Sequence, residues 1–227
     1  MTRLTVVVPM LNEESAIGQT LAALRTGAPE AEVIVVDGGS VDQGVHAARR
    51  LVDQVIVAPR GRARQLNAGA AAGSGDILAF VHADTRVPAS FQADIVDALA
   101  DPAIVGGRFD ITLDDPSFTY RLIGDLISLR SRISRTATGD QAIFVRRAVF
   151  EALGGFPDLD LCEDLDFSRR LKRAGRVACL HSRVTTSARR WRRDGLARTV
   201  LRMWAIRALF LLGVSPSRLK QIYADTR

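Results

Sequence analysis

The sequence is poor in several residue types that mark common protein classes. Of 227 residues only two are cysteines, Cys162 and Cys179, which are too few for a disulfide framework and lack the spacing of a metal site. This cysteine usage fits a reducing, cytoplasmic compartment. Aromatic residues make up 6% of the chain and do not interleave with basic residues, which argues against a nucleic-acid-binding protein.

Long apolar runs are also missing. The longest uncharged run near the C-terminus, residues 208–217, has ten positions, about half of the roughly 20 residues that span a bilayer. The apolar stretch near the N-terminus is too short for a signal peptide and is followed by acidic residues. We therefore expect neither a transmembrane helix nor a secretory signal.

Charge is distributed unevenly along the chain. Residues 181–227 contain 11 Lys/Arg and 2 Asp/Glu, whereas the preceding residues are slightly acidic. Hydrophobic residues at 47% and charged residues at 25% are ordinary values for a globular protein. A chain of this length is expected to form one large domain, here followed by a basic tail.

Apolar runs alternate with helical spacing over the first 81 residues, which predicts a mostly parallel α/β sheet with helices on both faces. Ligands of such sheets bind beyond the carboxyl ends of the strands. The predicted strands are 3–9, 31–37, 54–58 and 76–81, and the helices between them are 12–25, a segment after Ser40 that ends at Leu51, and 62–72. The later elements are predicted as helix 90–100, an edge strand near 105–113, helix 118–133, strand 142–145, helix 165–174 and strand 176–180.

The end of the first strand lacks the glycine fingerprint of a dinucleotide-binding fold. Residues 9–14 read PMLNEE, and Glu13 and Glu14 would repel a diphosphate unless a cation or a basic group lay between them. A carboxylate in the first helical turn is also stabilised by the helix dipole, which explains Glu14 and leaves Glu13 open. Binding of NAD is therefore not the expected function.

Carboxylates also follow the second and the fourth strand. Asp37 needs hydrogen-bond donors at the end of an apolar strand, which base or ribose recognition would provide, and Ser40 is expected to cap the next helix. Asp84 taken alone fits a turn residue equally well. Because Glu13, Asp37 and Asp84 converge on one sheet edge, we interpret Asp84 as a ligand of Mg²⁺ or Mn²⁺ at a diphosphate.

Two further segments carry candidate residues. Three arginines open the third predicted helix, and Arg62 is predicted to bind phosphate oxygens through its guanidinium. Arg60 and Arg64 suit either the same role or exposure to solvent. In the segment CEDLD at 162–166, one carboxylate can cap a helix and another can act as a general base, and Asp164 is the predicted base.

Together these motifs resemble the inverting glycosyltransferases of family 2, which have the GT-A fold, over essentially the whole chain. Five segments in order carry the resemblance: Pro9, Asn12 and Glu13 in the first nucleotide-contacting loop; Asp37, Gly38, Gly39 and Ser40 at the uridine-binding strand end; His82, Ala83 and Asp84 at the Asp-x-Asp motif; Gly139, Asp140 and Gln141 on the acceptor side; and Glu163 and Asp164 as the pair whose aspartate is the base.

Three motifs narrow the resemblance to a bacterial subgroup of small, single-domain enzymes: HADT at 82–85, RGRA at 60–63 and TSARRW at 186–191. The last also resembles the Gln-x-x-Arg-Trp motif of polysaccharide synthases, which implies that Arg190 and Trp191 lie on the acceptor side. Ser187 stands in place of the glutamine, and this departure argues against processive polymerisation. His82 replaces the first aspartate of the usual pair, and it either donates a hydrogen bond to the donor or fills space.

The resemblance implies transfer of a sugar, with inversion, from a UDP- or GDP-linked donor to an acceptor hydroxyl, a lipid-linked acceptor being one candidate. Asp84 would hold Mn²⁺ or Mg²⁺, and Asp164 would take the proton. Residues 1–190 would form the GT-A domain, and the helical extension 191–227 would pack on it, on a second copy or on the inner face of the membrane. The alternatives are a sugar nucleotidyltransferase, which lacks its glycine-rich basic loop here, and a non-catalytic nucleotide- or glycan-binding module.

Overall fold

The computed structural model describes residues 3–224, without the side chains of 222–224. An eight-stranded mixed sheet in the order β3-β2-β1-β4-β7-β6-β8-β5 forms its centre. Strands β1 to β4 are parallel to one another, β7 runs antiparallel to both of its neighbours, and β6 and β8 are parallel. The strands are β1 Leu4–Met10, β2 Glu32–Asp37, β3 Gln54–Val57, β4 Ile77–Phe80, β5 Thr85–Arg86, β6 Ile104–Leu113, β7 Ile143–Arg146 and β8 Arg176–Thr186.

Helices cover both faces of the sheet because its central strands are apolar on both sides. Helices α1 and α4 pack on one face, and α3, α6 and α7 pack on the other. The helices are α1 Glu14–Gly27, α2 Gly44–Ala48, α3 Arg62–Ala72, α4 Phe91–Ala98, α5 Phe118–Ser134, α6 Arg147–Ala152, α7 Glu163–Ala174, α8 Arg189–Asp194, α9 Leu196–Leu211 and α10 Pro216–Ala224, with a one-turn 3₁₀ helix at Gly139–Gln141.

The predicted α/β alternation is confirmed, and the carboxyl ends of β1, β2 and β4 lie side by side. The prediction of an edge strand near 105–113 is wrong, since β6 lies between β7 and β8 and pairs with both. The second helix is shorter than predicted, and β8 continues to Thr186 rather than ending at residue 180. The continuation of β8 depends on its pairing with β6 and β5, which a local sequence pattern does not reveal.

The C-terminal helices pack against the sheet domain through two apolar clusters. Ile206 and Leu219 contact Cys162 and Leu165 near the start of α7. The second cluster joins α5 and α9 around the buried side chain of Trp191. In the part of the chain that the structure describes, no helix combines the length and the apolar character needed to cross a membrane.

Candidate functional site

Two loops at the carboxyl ends of β1 and β2 are held together by hydrogen bonds. The N–H of Asn12 donates to Ser40 Oγ at 2.9 Å, and Asn12 Oδ1 accepts from the N–H of Val41 at 2.9 Å. Asn12 adopts a left-handed backbone conformation with φ of 55°, which Asn tolerates better than most residues. The side chain of Asn12 therefore fixes the shape of this loop, whether or not it also contacts a ligand.

The buried carboxylate of Asp37 is satisfied within its own turn. It accepts hydrogen bonds from the N–H groups of Gly39 and Ser40 at 3.0 and 3.1 Å. The donors that the sequence analysis assigned to a ligand are thus supplied by the protein. The prediction that Ser40 caps the next helix is wrong, because Asp42 Oδ1 accepts from the N–H of Gly44 at the start of α2.

Three other residues that are predicted to contact the donor, Pro9, Gly39 and Ala83, lie at the same edge of the sheet. Pro9 is half-buried near the end of β1, opposite Val36 in β2. Gly39 has φ of 92°, a conformation that favours glycine. Ala83 is buried, and its carbonyl accepts a hydrogen bond from Thr20 Oγ1 at 2.8 Å, which anchors the loop after β4 to α1.

The carboxylates of Glu13 and Asp84 lie on either side of one guanidinium. Nη2 of Arg189 is 2.8 Å from Glu13 Oε2 and 4.0 Å from Asp84 Oδ2. Burial raises the pKa of Asp84, the nearby Glu13 carboxylate raises it further, and Arg189 and Arg190 act in the opposite direction. Asp84 is therefore a partly buried carboxyl group whose ionised form is disfavoured by burial and by Glu13.

These residues fit a cation that arrives with a diphosphate. No group of three or more His, Cys, Asp or Glu side chains within the described residues could hold a metal ion. Mg²⁺ at phosphate sites is typically held by one or two carboxylates together with substrate oxygens and water, rather than by a full protein cage. Asp84 suits such a role, and a cavity of about 570 Å³ that it lines with α1, β5 and α8 gives the space for a ligand.

An ion pair connects Arg62, the first residue of α3, with Glu163, the first residue of α7. Arg62 Nη1 donates to Glu163 Oε1 at 3.1 Å, and only 3% of the Glu163 side chain is exposed. Burial and the neighbouring Asp164 carboxylate raise the pKa of Glu163, whereas Arg62 lowers it. The predicted phosphate ligand Arg62 thus also neutralises a buried carboxylate of the Glu-Asp pair.

Asp164 is held in one orientation by backbone donors. Its Oδ2 accepts from the N–H of Gly139 at 2.6 Å, and its Oδ1 accepts from the N–H of Leu165 at 2.7 Å. The residue lies in the first turn of α7, directly after Glu163 and after Cys162, which has a left-handed backbone with φ of 67°. This arrangement presents a fixed carboxylate beside the strand-end edge.

His82 faces Asp164 across Gly139. A Cβ added to Gly139 would lie 2.6 Å from His82 Nε2 and 3.5 Å from Asp164 Oδ2, so the imidazole packs against Gly139 more closely than a side chain there would allow. Nε2 of His82 is buried and has no hydrogen-bond partner. Burial and then the charges of Arg62 and Arg190 lower the pKa of His82 well below its usual value, which keeps the imidazole neutral.

The residues predicted on the acceptor side divide into two groups. Burial raises the pKa of Asp140, which accepts a hydrogen bond from Thr138 Oγ1 at 2.5 Å. Arg190 is exposed and interacts electrostatically with Asp84 and Asp140. Gln141, in contrast, has no exposed surface and closes a capping box with Thr138, and Trp191 packs in an apolar cluster. Gln141 and Trp191 therefore shape the site from within the protein.

Two residues that hold the strand-end loops in place, Arg189 and Gln65, were not predicted from the sequence. Arg189 joins Glu13 and Asp84, although TSARRW pointed to its neighbour Arg190. Gln65 is buried in α3, and its Nε2 donates to the carbonyls of Met10 and Val36 at 2.9 and 2.8 Å. A glutamine on the apolar face of a helix was the available signal for Gln65, whereas the position of Arg189 depends on the path of β8.

Comparisons with known proteins agree on one family for this chain. A family model described as glycosyl transferase family 2 matches residues 5–153. An uncharacterized glycosyltransferase of Mycobacterium tuberculosis strain H37Rv is 37% identical over 106 residues, which are 46% of this chain and 47% of that relative. The chain spans about half the length of the curated relatives it matches.

Solved structures share the fold at low sequence identity. Residues 1–349 of Staphylococcus aureus TarS, in complex with UDP, align with a TM-score of 0.66 and 20% identity over 82% of this chain and 60% of that one. The mannosyltransferase PcManGT of Pyrobaculum calidifontis, in complex with GDP-Man and Mn²⁺, aligns with a TM-score of 0.64 and 24% identity over 91% of this chain and 64% of that one. The predicted GT-A fold is thereby confirmed.

Proposed function

The chain belongs to glycosyl transferase family 2, and from this premise we propose that it transfers a sugar, with inversion, from a nucleotide diphosphate donor to an acceptor hydroxyl. One observation supports the proposal most strongly. Asp84 stands two residues after His82 beyond the end of β4, and His82 Nε2 and the fixed carboxylate of Asp164 both lie beside Gly139. Donor activation and proton removal can therefore act on the same reacting centre.

The donor is proposed to lie across the ends of β1, β2 and β4. The turn of Asp37 to Ser40 would hold the base and ribose through its backbone and surface, because the Asp37 carboxylate is already hydrogen-bonded within the turn. Arg62 would contact the diphosphate while it remains paired with Glu163. UDP and GDP in the two solved neighbours support a nucleotide diphosphate donor without choosing between these bases.

Asp84 would hold Mn²⁺ or Mg²⁺ together with the diphosphate oxygens. A divalent cation bound there would supply charge stabilisation of the departing diphosphate. The Mn²⁺ bound to the mannosyltransferase supports such a cation. Glu13 and Arg189 would adjust the charge around Asp84, since both lie next to it.

Asp164 is proposed to act as the general base. As the acceptor oxygen forms its bond to the anomeric carbon, its proton passes to Asp164, and the bond from that carbon to the diphosphate oxygen breaks on the opposite face. The nucleotide diphosphate leaves with the electron pair, so the configuration at the anomeric carbon inverts. The hydrogen bonds from Gly139 and Leu165 keep the carboxylate oriented for this transfer.

A peripheral contact with an anionic membrane surface is a further part of the proposal. Helix α5 exposes an apolar stripe, and the adjoining helix α9 exposes Leu201 and Trp204 together with the basic residue Arg198. Apolar side chains with a basic surround favour binding to anionic lipid. The stripe consists of Phe118, Leu122, Leu126, Leu129 and Ile133. Flotation of the protein together with anionic vesicles would support this contact. A protein that forms a stable dimer in solution and does not bind vesicles would instead indicate that this face binds a second copy of the chain.

The stereochemical course tests the proposed reaction. Water can replace the acceptor in a slow hydrolysis of the donor, and proton NMR distinguishes the two anomers of the released sugar before they equilibrate. An α-linked donor is expected to yield the β-anomer first. Release of the α-anomer would contradict inversion, and no turnover of any UDP or GDP sugar, with or without an added polyol acceptor, would favour a non-catalytic binding module.

A further inference from the structure

Two arginines on the acceptor side of Asp164 have buried N–H groups without partners. They are Arg130 in α5 and Arg207 in α9. Nε and Nη2 of Arg130 and Nη1 of Arg207 are buried and make no hydrogen bond, although Nη2 of Arg207 donates to Thr136 Oγ1 at 2.7 Å. Within residues 3–224 neither guanidinium forms an ion pair. Buried polar groups are satisfied in most proteins, so these donors point to a missing acceptor.

The electrostatics of the pair favour a bound anion. Burial lowers the pKa of Arg130 to about 10, and the positive charge of Arg207 contributes to the shift. Burial lowers the pKa of Arg207 as well. Asp140 and Asp164 favour the charged form of Arg130, and Asp164 favours that of Arg207, but neither carboxylate forms an ion pair with these arginines. Two partly buried cations beside each other are costly without a counter-charge, and an anion bound beside them would relieve that cost.

Arg207 also lines a cationic cavity that begins beside the proposed base. The cavity has a volume of about 290 Å³ and lies between α7 and α9, next to the end of α5. Leu165, which directly follows Asp164, forms part of its wall together with Phe210 and Leu211. No acidic side chain is found among the described residues that line it, whereas four cationic side chains are: Arg169, Lys172, Arg173 and Arg207.

We propose that this cavity binds a phosphate group of the acceptor, with Arg207 in its wall as the principal ligand and the buried Arg130 adding positive charge from behind it. The inference rests on the proposed function, since it assigns a chemical class to the acceptor of that reaction. Guanidinium groups match phosphate oxygens with paired hydrogen bonds, and Arg207 and Arg169 bring such groups to the cavity wall. The apolar wall can contact carbon atoms next to the phosphate. A lipid-linked phosphate and a soluble polyol phosphate share this chemistry.

Calorimetric titration with inorganic phosphate tests the site in the absence of nucleotide and metal, at constant ionic strength. Arg207→Gln is expected to weaken phosphate binding about tenfold, as loss of a charge-assisted hydrogen bond predicts, and Arg130→Gln is expected to weaken it by less, since it removes only a nearby charge. Arg50→Gln, at an exposed residue in the turn after α2, should leave it unchanged. Absence of binding to the wild type, equal weakening in all three variants, or weakening only when Arg62 at the strand ends is replaced would overturn the proposal.

Thermal unfolding separates a ligand-binding role from a structural one. Without phosphate, Arg130→Met and Arg207→Met are expected to melt at a higher temperature than the wild type, because each removes one unbalanced buried charge. Arg207→Met should lose the rise in Tm that phosphate gives the wild type. Arg130→Met should lose part of that rise, while Arg130→Lys, which keeps the charge, should retain it. Variants that melt lower without phosphate and keep the full phosphate-induced rise would show that these arginines serve the fold.

Two further probes distinguish the sources of the phosphate. Binding of glycerol 3-phosphate that Arg207→Gln weakens would indicate a soluble acceptor. Binding to phosphatidylcholine vesicles only when they contain phosphatidic acid, again weakened by Arg207→Gln, would indicate a lipid-linked one. Failure of both probes would overturn the proposal. Donor binding with Mn²⁺ should persist in Arg207→Gln, and if the wild type bound phosphate but no donor, the proposed function would fail while the anion site stood.

Discussion

Gly139 donates its backbone N–H to Oδ2 of Asp164 at 2.6 Å. The bond joins the one-turn helix at Gly139–Gln141 to the first turn of α7, two segments that are 25 residues apart in the sequence. It fixes the orientation of the carboxylate that we assign as the base. The absence of a side chain on Gly139 also lets the imidazole of His82 pack directly against this backbone position.

Replacing Asp164 should separate chemistry from donor binding. Asp164→Asn keeps the size of the side chain but cannot accept the proton, so kcat should fall about 10²- to 10⁴-fold while the Kd of the donor changes little. Asp166→Asn is the matched control, because Asp166 pairs with Arg170 at 2.7 Å on the same helix and should affect kcat only slightly. Loss of donor binding in Asp164→Asn would assign that residue a different role.

A side chain at Gly139 should slow transfer without unfolding the protein. The Cβ of Gly139→Ala would lie 2.6 Å from His82 Nε2, so the imidazole must move from its position beside Asp164. We expect kcat/KM to fall by about tenfold or more, the change that a small displacement in the site can cause. Gly18→Ala in α1 meets nothing within 4 Å and should stabilise the fold by about 0.5–1 kcal/mol at full activity. Unchanged kinetics in Gly139→Ala would show that the close packing of His82 on Gly139 is not needed for transfer.

The Arg62 and Glu163 pair should matter more to stability than a neighbouring surface pair. Arg62→Ala leaves a buried carboxylate without its cation, which should lower the free energy of unfolding by about 1–3 kcal/mol, and Glu163→Gln in the same chain should restore part of it. Arg64→Ala is the control, since both Arg64 and Asp158 are exposed and such pairs contribute about 0–1 kcal/mol. Urea unfolding of the wild type and these three variants measures the difference, and equal losses in Arg62→Ala and Arg64→Ala would contradict it.

Asp140 should make stability depend on pH in a defined direction. Burial raises the pKa of its carboxyl in the folded protein, so the folded state holds the proton more tightly than the unfolded state does. The resulting contribution to stability is present below the unfolded pKa and is lost as pH rises through the folded pKa. Relative to Asp140→Asn, the wild type should therefore lose stability as pH rises above about 4. Urea unfolding at a series of pH values gives the free energy of unfolding of the wild type minus that of Asp140→Asn, and a difference that increases with rising pH would contradict the burial of Asp140.

The sequence predicts the arrangement at the carboxyl ends of β1, β2 and β4 better than it predicts the surroundings of Asp164. The reason is topological. Asp37 and Asp84 end buried parallel strands, and the ends of such strands meet at one edge whatever the details of the loops. Arg130 and Arg207 reach the base only because α5 and α9 pack together, a contact between helices that are far apart in the chain. Hydrophobic spacing predicts that such helices form, but it does not predict which of their arginines will face each other.

The prediction that Ser40 caps the helix after β2 is wrong for a local reason. A serine just before a predicted helix is a common cap, yet its Oγ accepts from Asn12 instead. The helix begins at Gly44, and Asp42 satisfies its first N–H. The narrower predictions, namely the bacterial subgroup and the residues assigned to the acceptor, stay predictions until substrates are known.

Calorimetric titration of UDP and GDP sugars, with and without Mn²⁺, tests most directly whether Asp84 is the metal ligand at the donor diphosphate. The wild type and Asp164→Asn should both bind one donor class, and only when Mn²⁺ is present. Asp84→Asn should lose this metal-dependent binding. Donor binding that is equally tight without Mn²⁺, or that survives unchanged in Asp84→Asn, would contradict the account.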